Sequence, residues 1–345
     1  LKAKKTLEDA YARNPRDPQT LLLLSDIYVQ QADWKQAGKL LDDMVRDSLV
    51  DPRKKRDVVE FLINKYRNNS SDTTLREITA TAVADFKTTN PDYAMSHALA
   101  ADFYQATGER EKALEALKVT NKQMPTNDTA WRRRVQLLFE SQEYKQVVEV
   151  GKKADEQVPD DPLITYLVGT SYFMEEEYQP AVDWLKRAAN APARRAFKTS
   201  VYGMLGDTYA AVDNWSASDK AYRQALQYDP QNHNVLNNYS YYLSLRKKNL
   251  DKAQQMITKA LEVGGENPSY LDTAGWVFYQ LGKYDKAHKY IKASIEAGSE
   301  SAEVFEHMGD VLQKLDRSDE ANQWWKKAFE RDSSRTHLKE KINQN

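Results

Sequence analysis

The sequence predicts an all-α fold, a right-handed α–α superhelix in which helical hairpins stack one after another. One observation is a glycine followed twelve residues later by alanine or serine, which occurs at Gly169, Gly206, Gly275 and Gly309. Another is a proline that recurs in steps of 34 residues, at Pro91, Pro125 and Pro159. A period of this length is typical of repeat proteins, in which each repeat is one supersecondary unit that buries its apolar face against its neighbours.

Composition narrows the function classes. The 345 residues include 50 lysines and arginines and 51 aspartates and glutamates, so the net charge of −1 lacks the basic surplus of a nucleic-acid-binding protein. No apolar run reaches the length of a membrane span, which predicts no membrane insertion by this segment. Cysteine is absent, which excludes disulfides, thiolate metal sites and cysteine nucleophiles. The absence also favours the bacterial periplasm or an outer-membrane-associated location, with the cytoplasm as the alternative.

Residues 199–230 show how one repeat is built. A first apolar stripe at i, i+3, i+4 and i+7 predicts an amphipathic helix and consists of Tyr202, Leu205, Gly206 and Tyr209. After a polar turn at 212–215, a second stripe predicts the antiparallel partner helix, which Pro230 ends, and consists of Ser218, Tyr222 and Ala225. Small residues in both stripes allow the two backbones to approach closely, so the repeat is predicted to be a helical hairpin.

These positions closely resemble the tetratricopeptide repeat (TPR), whose bulky, Leu, Gly, Tyr, Ala, Phe, Ala and Pro positions match the residues from Tyr202 to Pro230. The last repeat fits as well, with Phe305, Gly309 and Ala321 in place. The resemblance implies a TPR solenoid of about nine helical hairpins, with an N-terminal half-repeat and a C-terminal capping helix. Residues 236–287 also resemble a repeat pair common in bacterial multi-repeat TPR proteins of the cell envelope.

The whole chain, 1–345, is therefore predicted to be a single TPR solenoid. Its predicted segments are a half-repeat at 1–15, repeats at 18–51, 52–90, 94–127, 128–161, 162–198, 199–232, 233–267, 268–301 and 302–334, and a cap at 335–345. The cap is predicted from Leu338 and Ile342, which share one face with lysines on the remaining face. Residues 1–13 fit only the second helix of a repeat, which predicts that the natural protein extends upstream.

Departures from the repeat pattern mark places where the solenoid is interrupted. The unit at 52–90 lacks the glycine and carries a polar turn at 67–72, so it is predicted to be irregular, with helices at 58–66 and 74–86. The spacing also stretches through residues 190–193, and one extra residue lies in the turn at 246–250. Each of these changes is expected to shift the path of the superhelix locally.

The TPR resemblance implies that a partner binds in the concave groove formed by the first helix of each repeat. At 100° per residue, positions 2, 5, 9 and 12 of a repeat point away from the packing stripe and are predicted to line that groove. The candidate groove residues are Arg132, Phe139, Tyr166, Phe173, Asp207, Asn237, Asn238, Tyr241, Asp272, Trp276, Tyr279 and Asp310. Tyr241, Trp276 and Tyr279 are predicted to anchor an extended peptide, because aromatic rings supply apolar area with a polar tip.

The amides of Asn237 and Asn238, together with Asp272, are predicted to bind the peptide backbone, because an amide both donates and accepts. The alternative is that Trp276 and Tyr279 fill the space between neighbouring first helices. A set of basic residues that could clamp a terminal carboxylate is not assembled. In the run 132–134 one helical turn spreads the three arginines over different faces, with Asp102 and Glu140 as expected ion-pair partners.

No catalytic signature is present, including GxxxxGK[ST], HExxH, GxSxG and GxGxxG. One group of titratable residues in the predicted groove comes nearest to a catalytic set, and it consists of Glu303, Glu306, His307 and Asp310. The sequence therefore predicts a non-enzymatic scaffold or adaptor that binds a protein or peptide and needs no cofactor or metal. The alternative is a self-associating or regulatory TPR domain of a larger protein whose upstream part carries an anchor or an activity; a homo-oligomer stays open.

Overall fold

The computed structural model describes residues 2–31 and 33–343, and these residues form twenty α-helices and no strand. The helices are α1 (Lys2–Arg13), α2 (Pro18–Gln30), α3 (Trp34–Arg46), α4 (Pro52–Asn68), α5 (Thr73–Thr89), α6 (Ala94–Ala106), α7 (Arg110–Gln123), α8 (Asp128–Glu140), α9 (Tyr144–Gln157), α10 (Pro162–Met174), α11 (Tyr178–Asn190), α12 (Arg195–Ala211), α13 (Trp215–Tyr228), α14 (His233–Leu245), α15 (Leu250–Gly264), α16 (Pro268–Gln280), α17 (Tyr284–Glu296), α18 (Ala302–Lys314), α19 (Ser318–Arg331) and α20 (Leu338–Asn343).

The chain divides into two compact units, the first ending at Ser171 and the second beginning at Tyr172. In the first unit α2 packs on α3, α4 on α5, α6 on α7 and α8 on α9. In the second, α12 packs on α13, α14 on α15, α16 on α17 and α18 on α19, while α20 packs on α19. This pairwise packing confirms the predicted all-α, TPR-like fold class. The path of a single solenoid through both units stays a prediction.

Close approach of the paired helices explains the glycine at its fixed place in the first helix. A Cβ atom added to Gly206 would lie 2.6 Å from the Tyr222 ring, and one added to Gly275 would lie 2.4 Å from Ile291. The small residue twelve positions later lies on the facing helix, where the Ser218 hydroxyl donates to the Gly206 carbonyl oxygen at 2.9 Å. The spacing seen in the sequence is therefore the contact between the two helices of a hairpin.

Short polar caps start the helices that matter most for the site. Asn232 accepts a hydrogen bond from the Val235 amide at the start of α14, at 3.1 Å. Asn267 does the same before α16, where Pro268 occupies the first turn, and Ser301 caps α18. Side-chain oxygens at these positions satisfy backbone amides that a helix leaves unpaired. Each cap thus determines where a first helix begins and which residues face inward.

The unit at 52–90 has longer helices than the sequence predicted. Helix α4 has 17 residues rather than the predicted 58–66, and α5 has 17 rather than 74–86. The Asp51 and Asp72 side chains cap the N-termini of the two helices. Helix α4 gains most of its extra length at its N-terminus, and α5 gains most of its extra length at its C-terminus. Helix α5 packs against both α3 and α4. Gly38 of α3 makes room for this, because an added Cβ atom would lie 2.9 Å from Ile78.

The predicted C-terminal helix is present as α20 and packs on the last hairpin. Its Leu338 side chain is fully buried. The Lys341 ammonium group lies 2.9 Å from Glu306 and 2.6 Å from Asp310, both on α18. Arg335, just before α20, also pairs with Glu306 at 2.8 Å. The end of the chain is therefore held by one apolar side chain and by ion pairs to the inner face of α18.

Among the described residues, no helix is both long and apolar enough to cross a membrane.

Candidate functional site

A polar pocket of about 360 Å³ lies in the second unit. It is lined by Phe173, Asp207, Asn237, Asn238, Tyr241, Tyr242, Ser269, Asp272, Thr273, Ser299, Ser301, Glu303 and Val304. Helices α12, α14, α16 and α18 supply most of these side chains, and each of these helices contacts the next one in the row. They are the first helices of successive hairpins, so the pocket lies on the face that the sequence predicted to be the groove.

Asp207 is the acceptor at which a chain of hydrogen bonds ends. The Tyr222 hydroxyl donates to Asp207, and Asn238 Nδ2 donates to the same carboxylate at 3.1 Å. Asn237 Nδ2 in turn donates to Asn238 Oδ1 at 3.0 Å. This arrangement leaves Asn237 Oδ1 buried without a hydrogen-bond partner, in a side chain that is 8% exposed. A buried acceptor without a donor costs about 1–3 kcal/mol, so its retention in a pocket calls for a reason.

Two further carboxylates, those of Asp272 and Glu303, line the pocket. The Tyr241 hydroxyl donates to Glu303, and burial raises the pKa of Tyr241 well above its usual value. His307 Nδ1 lies 3.0 Å from Asp272. Burial lowers the pKa of His307, but the carboxylates of Asp272, Glu303 and Asp310 together raise it, so its pKa lies above the ordinary value. His307, which does not line the pocket, thus partly compensates the negative charge of Asp272.

The electrostatic character of the pocket is acidic. Three carboxylates line it, and no lysine or arginine does so among the described residues. Burial raises the pKa of Asp207 to about 6, although the hydrogen bonds from Tyr222 and Asn238 lower it. Asp207 is therefore mostly ionised at pH 7, and its titration lies close to that pH.

Trp276 and Tyr279, two of the predicted anchors, lie outside the pocket lining. The Trp276 ring stacks on Tyr279 with centroids 4.7 Å apart and on His307 with centroids 3.9 Å apart. Burial raises the pKa of Tyr279 to about 12. Because His307 belongs to α18 and Trp276 to α16, this stack fills the space between two first helices. The geometry is that of the packing alternative, although Trp276 Nε1 has no hydrogen-bond partner.

Asp310, the last predicted groove residue, is engaged within the chain. Its carboxylate accepts from Trp325 Nε1 at 2.9 Å and from the Lys341 ammonium group at 2.6 Å. Glu306, one turn earlier, is buried beneath Arg335, His337 and Lys341. Glu306 and Asp310 are thus covered by α20 and by the segment that leads into it. No group of three His, Asp or Glu side chains in the described residues is placed to hold a metal ion.

The three predicted groove residues of the first unit make contacts of their own. Arg132 pairs with Asp161 at 2.6 Å and with Asp128 at 2.9 Å. The Phe139 ring packs edge-on against Tyr144, and Tyr166 is half-buried on α10. None of the three lines the pocket of the second unit. Of the expected partners for the arginine run, Asp102 does pair with Arg133, whereas Glu140 accepts from Gln136.

Several lining residues are missing from the predicted set. Tyr242 and Thr273 each follow directly after a predicted groove residue. Ser299 and Ser301 lie in the connection between α17 and α18. A reading of helix periodicity alone leaves out connections. The sequence signal that could have indicated these serines is the short polar stretch at 297–301. This stretch ends in the cap of the first helix of a repeat, so its residues lie close to the groove.

Comparison with known proteins supports the repeat assignment. Models of the tetratricopeptide repeat match residues 2–53 and 199–232. No curated protein matches the sequence. A tetratricopeptide repeat protein from Parabacteroides merdae ATCC 43184 is similar in structure, with a TM-score of 0.58, 12% identity, and coverage of 72% of this chain and 97% of that one. A chain of the APC/C hetero-tetramer Cut9–Hcn1 has a TM-score of 0.54 and 11% identity, with coverage of 95% and 76%. At these identities the likeness concerns the fold.

Proposed function

Because the chain is a tetratricopeptide repeat protein, we propose that it is a non-enzymatic scaffold or adaptor that binds a protein or peptide through the pocket of its second unit. TPR domains commonly bind proteins or peptides and are typically non-catalytic. The pocket is lined mainly by first helices, where an extended segment would contact successive repeats. An envelope-associated location also stays a prediction, which the absence of cysteine favours.

One observation carries the proposal. Asn237 keeps a buried acceptor without a donor in a pocket where its own Nδ2 and the Asn238 amide are ordered by hydrogen bonds within the chain. A preformed recess with a few oriented polar groups is the usual form of a binding site. The lining also combines Phe173, Tyr241 and Tyr242 with serine and threonine hydroxyls, and rings of this kind are frequent anchors at interfaces.

The test is selection of displayed random peptides on the immobilised full chain, followed by affinity measurement with the synthetic peptide. We expect Tyr241→Ala and Asn237→Ala to weaken the selected peptide by about tenfold or more, as loss of an interface anchor does. The matched control is Gln255→Ala, since Gln255 is exposed on α15 and lies outside the pocket. Equal affinity in all four proteins would move recognition to another surface and remove this proposal.

A further inference from the structure

The pocket of the second unit has an unbalanced charge. Asp207, Asp272 and Glu303 reach it from three different helices. Their partners inside the chain are neutral hydroxyls and amides, except for His307 behind Asp272. The charges of Asp207 and Glu303 therefore have no basic partner among the groups that line the pocket. Elsewhere in this unit the chain does supply one, as at Asp219, which pairs with Arg246 at 2.7 Å.

The hydrogen-bonding capacity of the pocket points in the same direction. The Asn237 and Asn238 amides and the Tyr241 hydroxyl are directed to acceptors of the same chain. The buried group left over is an acceptor, Asn237 Oδ1. A ligand that complements these groups brings N–H donors and positive charge. This acceptor is an observation separate from the carboxylates, because a neutral amide has no part in the charge imbalance.

Aromatic rings border the same space. Phe173, Tyr241 and Tyr242 all line the pocket, and the two tyrosine rings lie edge to face with centroids 5.5 Å apart. The face of an aromatic ring attracts an ammonium or guanidinium group, and the attraction increases when water is excluded. The volume of about 360 Å³ is ample for one long side chain together with the backbone that carries it.

We propose that this pocket binds a basic side chain, lysine or arginine, of an extended partner segment, with Asp207 and Glu303 as counter-ions and Asn237 Oδ1 as a further acceptor. The proposal rests on the proposed function, since it names the chemistry that the same pocket selects. A partner that presents a terminal carboxylate or an acidic side chain would be repelled by the three carboxylates of the pocket. Binding of such a partner in this pocket would count against the proposal.

The probe is the peptide obtained from a random library displayed on phage and selected on the full chain. We expect selected sequences to share an arginine or lysine at one position. The synthetic peptide is then compared with a citrulline version, which keeps the shape of arginine and removes its charge. We expect citrulline to weaken binding by about tenfold or more, because a charge-assisted hydrogen bond is roughly twice as strong as a neutral one.

Variants of the protein show whether the preference belongs to this pocket. Glu303→Gln keeps an acceptor for Tyr241 and removes one charge, so we expect the arginine-to-citrulline ratio to fall by at least about threefold. The matched control is Glu300→Gln, because Glu300 is exposed, pairs with Arg331 at 3.1 Å and does not line the pocket. We expect the control to keep the ratio. Thermal unfolding of both variants shows whether either has lost its fold.

The outcomes separate the two proposals. Peptides that need Tyr241 but carry no basic residue, or that bind equally well with citrulline, overturn the choice of a cationic ligand and leave peptide binding in the pocket intact. Failure to select any peptide, or peptides indifferent to Tyr241→Ala and Asn237→Ala, overturns both. An unchanged ratio in Glu303→Gln, with the fold retained, places the basic side chain outside this pocket and also contradicts the assignment.

Discussion

At Asn237 the chain retains a buried amide oxygen that no group of the protein satisfies. Such a group lowers the stability of the folded state, and native proteins keep few of them. The polar atoms that lack partners in this part of the chain include Trp276 Nε1, which lies on the next first helix. A buried group of this kind calls for an explanation, and a functional site is a common one.

The first prediction concerns Asn237→Leu. We expect the free energy of unfolding to stay within about 1 kcal/mol of the unsubstituted protein or to rise, because the variant removes an unsatisfied acceptor while losing one hydrogen bond. The control is Asn121→Leu, because Asn121 is buried and its amide, in the orientation that satisfies both polar atoms, donates to the Leu117 carbonyl oxygen and accepts from the Trp131 amide. That change should cost about 1–3 kcal/mol in denaturant unfolding. Equal losses in both variants would show that Asn237 Oδ1 has a partner.

The second prediction concerns pH. Below about pH 6 Asp207 takes up a proton and becomes neutral, so affinity for an arginine-containing peptide should fall as the pH is lowered from about 7.5 to about 5. The groups facing Asp207 from the helices packed on α12 are Tyr222, Asn238 and Tyr242, and none of them titrates in that range. Asp207→Asn should have weaker affinity with a flatter profile. A profile unchanged by Asp207→Asn would assign the titration to another group.

Helical periodicity predicted much of this site and missed what depends on distant contacts. Asn237, Tyr241 and Asp272 line the pocket because α14 and α16 are regular helices whose register the sequence reveals. Asp310 shares that register, but Lys341 occupies its carboxylate. Nothing in the sequence near Asp310 indicates that contact, because the lysine lies 31 residues away in a segment whose docking is a tertiary event.

At the scale of the helical hairpin, the closeness of the two helices limits which residues fit. A glycine in the first helix and a serine or alanine in the second let the backbones approach, and a large side chain such as Tyr222 fills the space that the glycine leaves. In the second unit this arrangement recurs with Ile291 and Trp325 as the large partners. The same contact, made with different side chains, holds together the two helices of each of these hairpins.

The third prediction tests that contact. Gly206→Ala should lower the free energy of unfolding by about 1–3 kcal/mol, because the new methyl group would lie 2.6 Å from the Tyr222 ring in a packed interior. Gly203→Ala is the matched control on the same helix, where the methyl group would meet Val235 at 3.2 Å. Denaturant unfolding of both variants should show the larger loss at Gly206. The reverse order would contradict the proposed close contact.

The docking of α20 gives a fourth prediction. Burial raises the pKa of Glu306, but hydrogen bonds from Lys341, His337 and Arg335 lower it to about 2 overall. A lowered carboxyl pKa adds stability above the unfolded value near 4.5, and this stability is lost as the pH falls through about 2. Glu306→Gln should therefore cost about 2 kcal/mol at pH 7. The difference between the two proteins should shrink between these pH values in thermal unfolding; a constant difference would contradict it.

At the scale of the whole molecule, the sequence predicted helical hairpins but not the division into two units. The repeat pattern continues past Ser171 without a linker, so composition gives no sign of a boundary. The boundary falls inside α10 (Pro162–Met174), so no break in the helical pattern marks it. The prediction of hairpins succeeded because each hairpin depends mainly on residues within about one repeat of each other.

The fifth prediction follows from this near-neighbour construction. The stability of a repeat array is approximately a sum of terms within and between adjacent repeats. Gly206→Ala should therefore raise amide hydrogen exchange in α12 to α14 while exchange in α4 to α7 stays as it was. Native-state exchange followed by mass spectrometry of peptic fragments checks this. A uniform rise along the chain would show that the protein unfolds as one cooperative body.

Lys341 gives the docking of α20 a further meaning. The Lys341 ammonium group of this helix pairs with the carboxylates of Glu306 and Asp310 on α18. Because the helix is part of the same chain, it acts as an intramolecular ligand of the last repeat at a high effective concentration. A C-terminal truncation that begins at Arg335 would remove Arg335, His337 and Lys341 from Glu306 and Lys341 from Asp310, and would create a second acidic recess on α18. The shortened protein would then offer two competing receptors for one cationic segment, and the length of the C-terminal tail would determine the stoichiometry of binding.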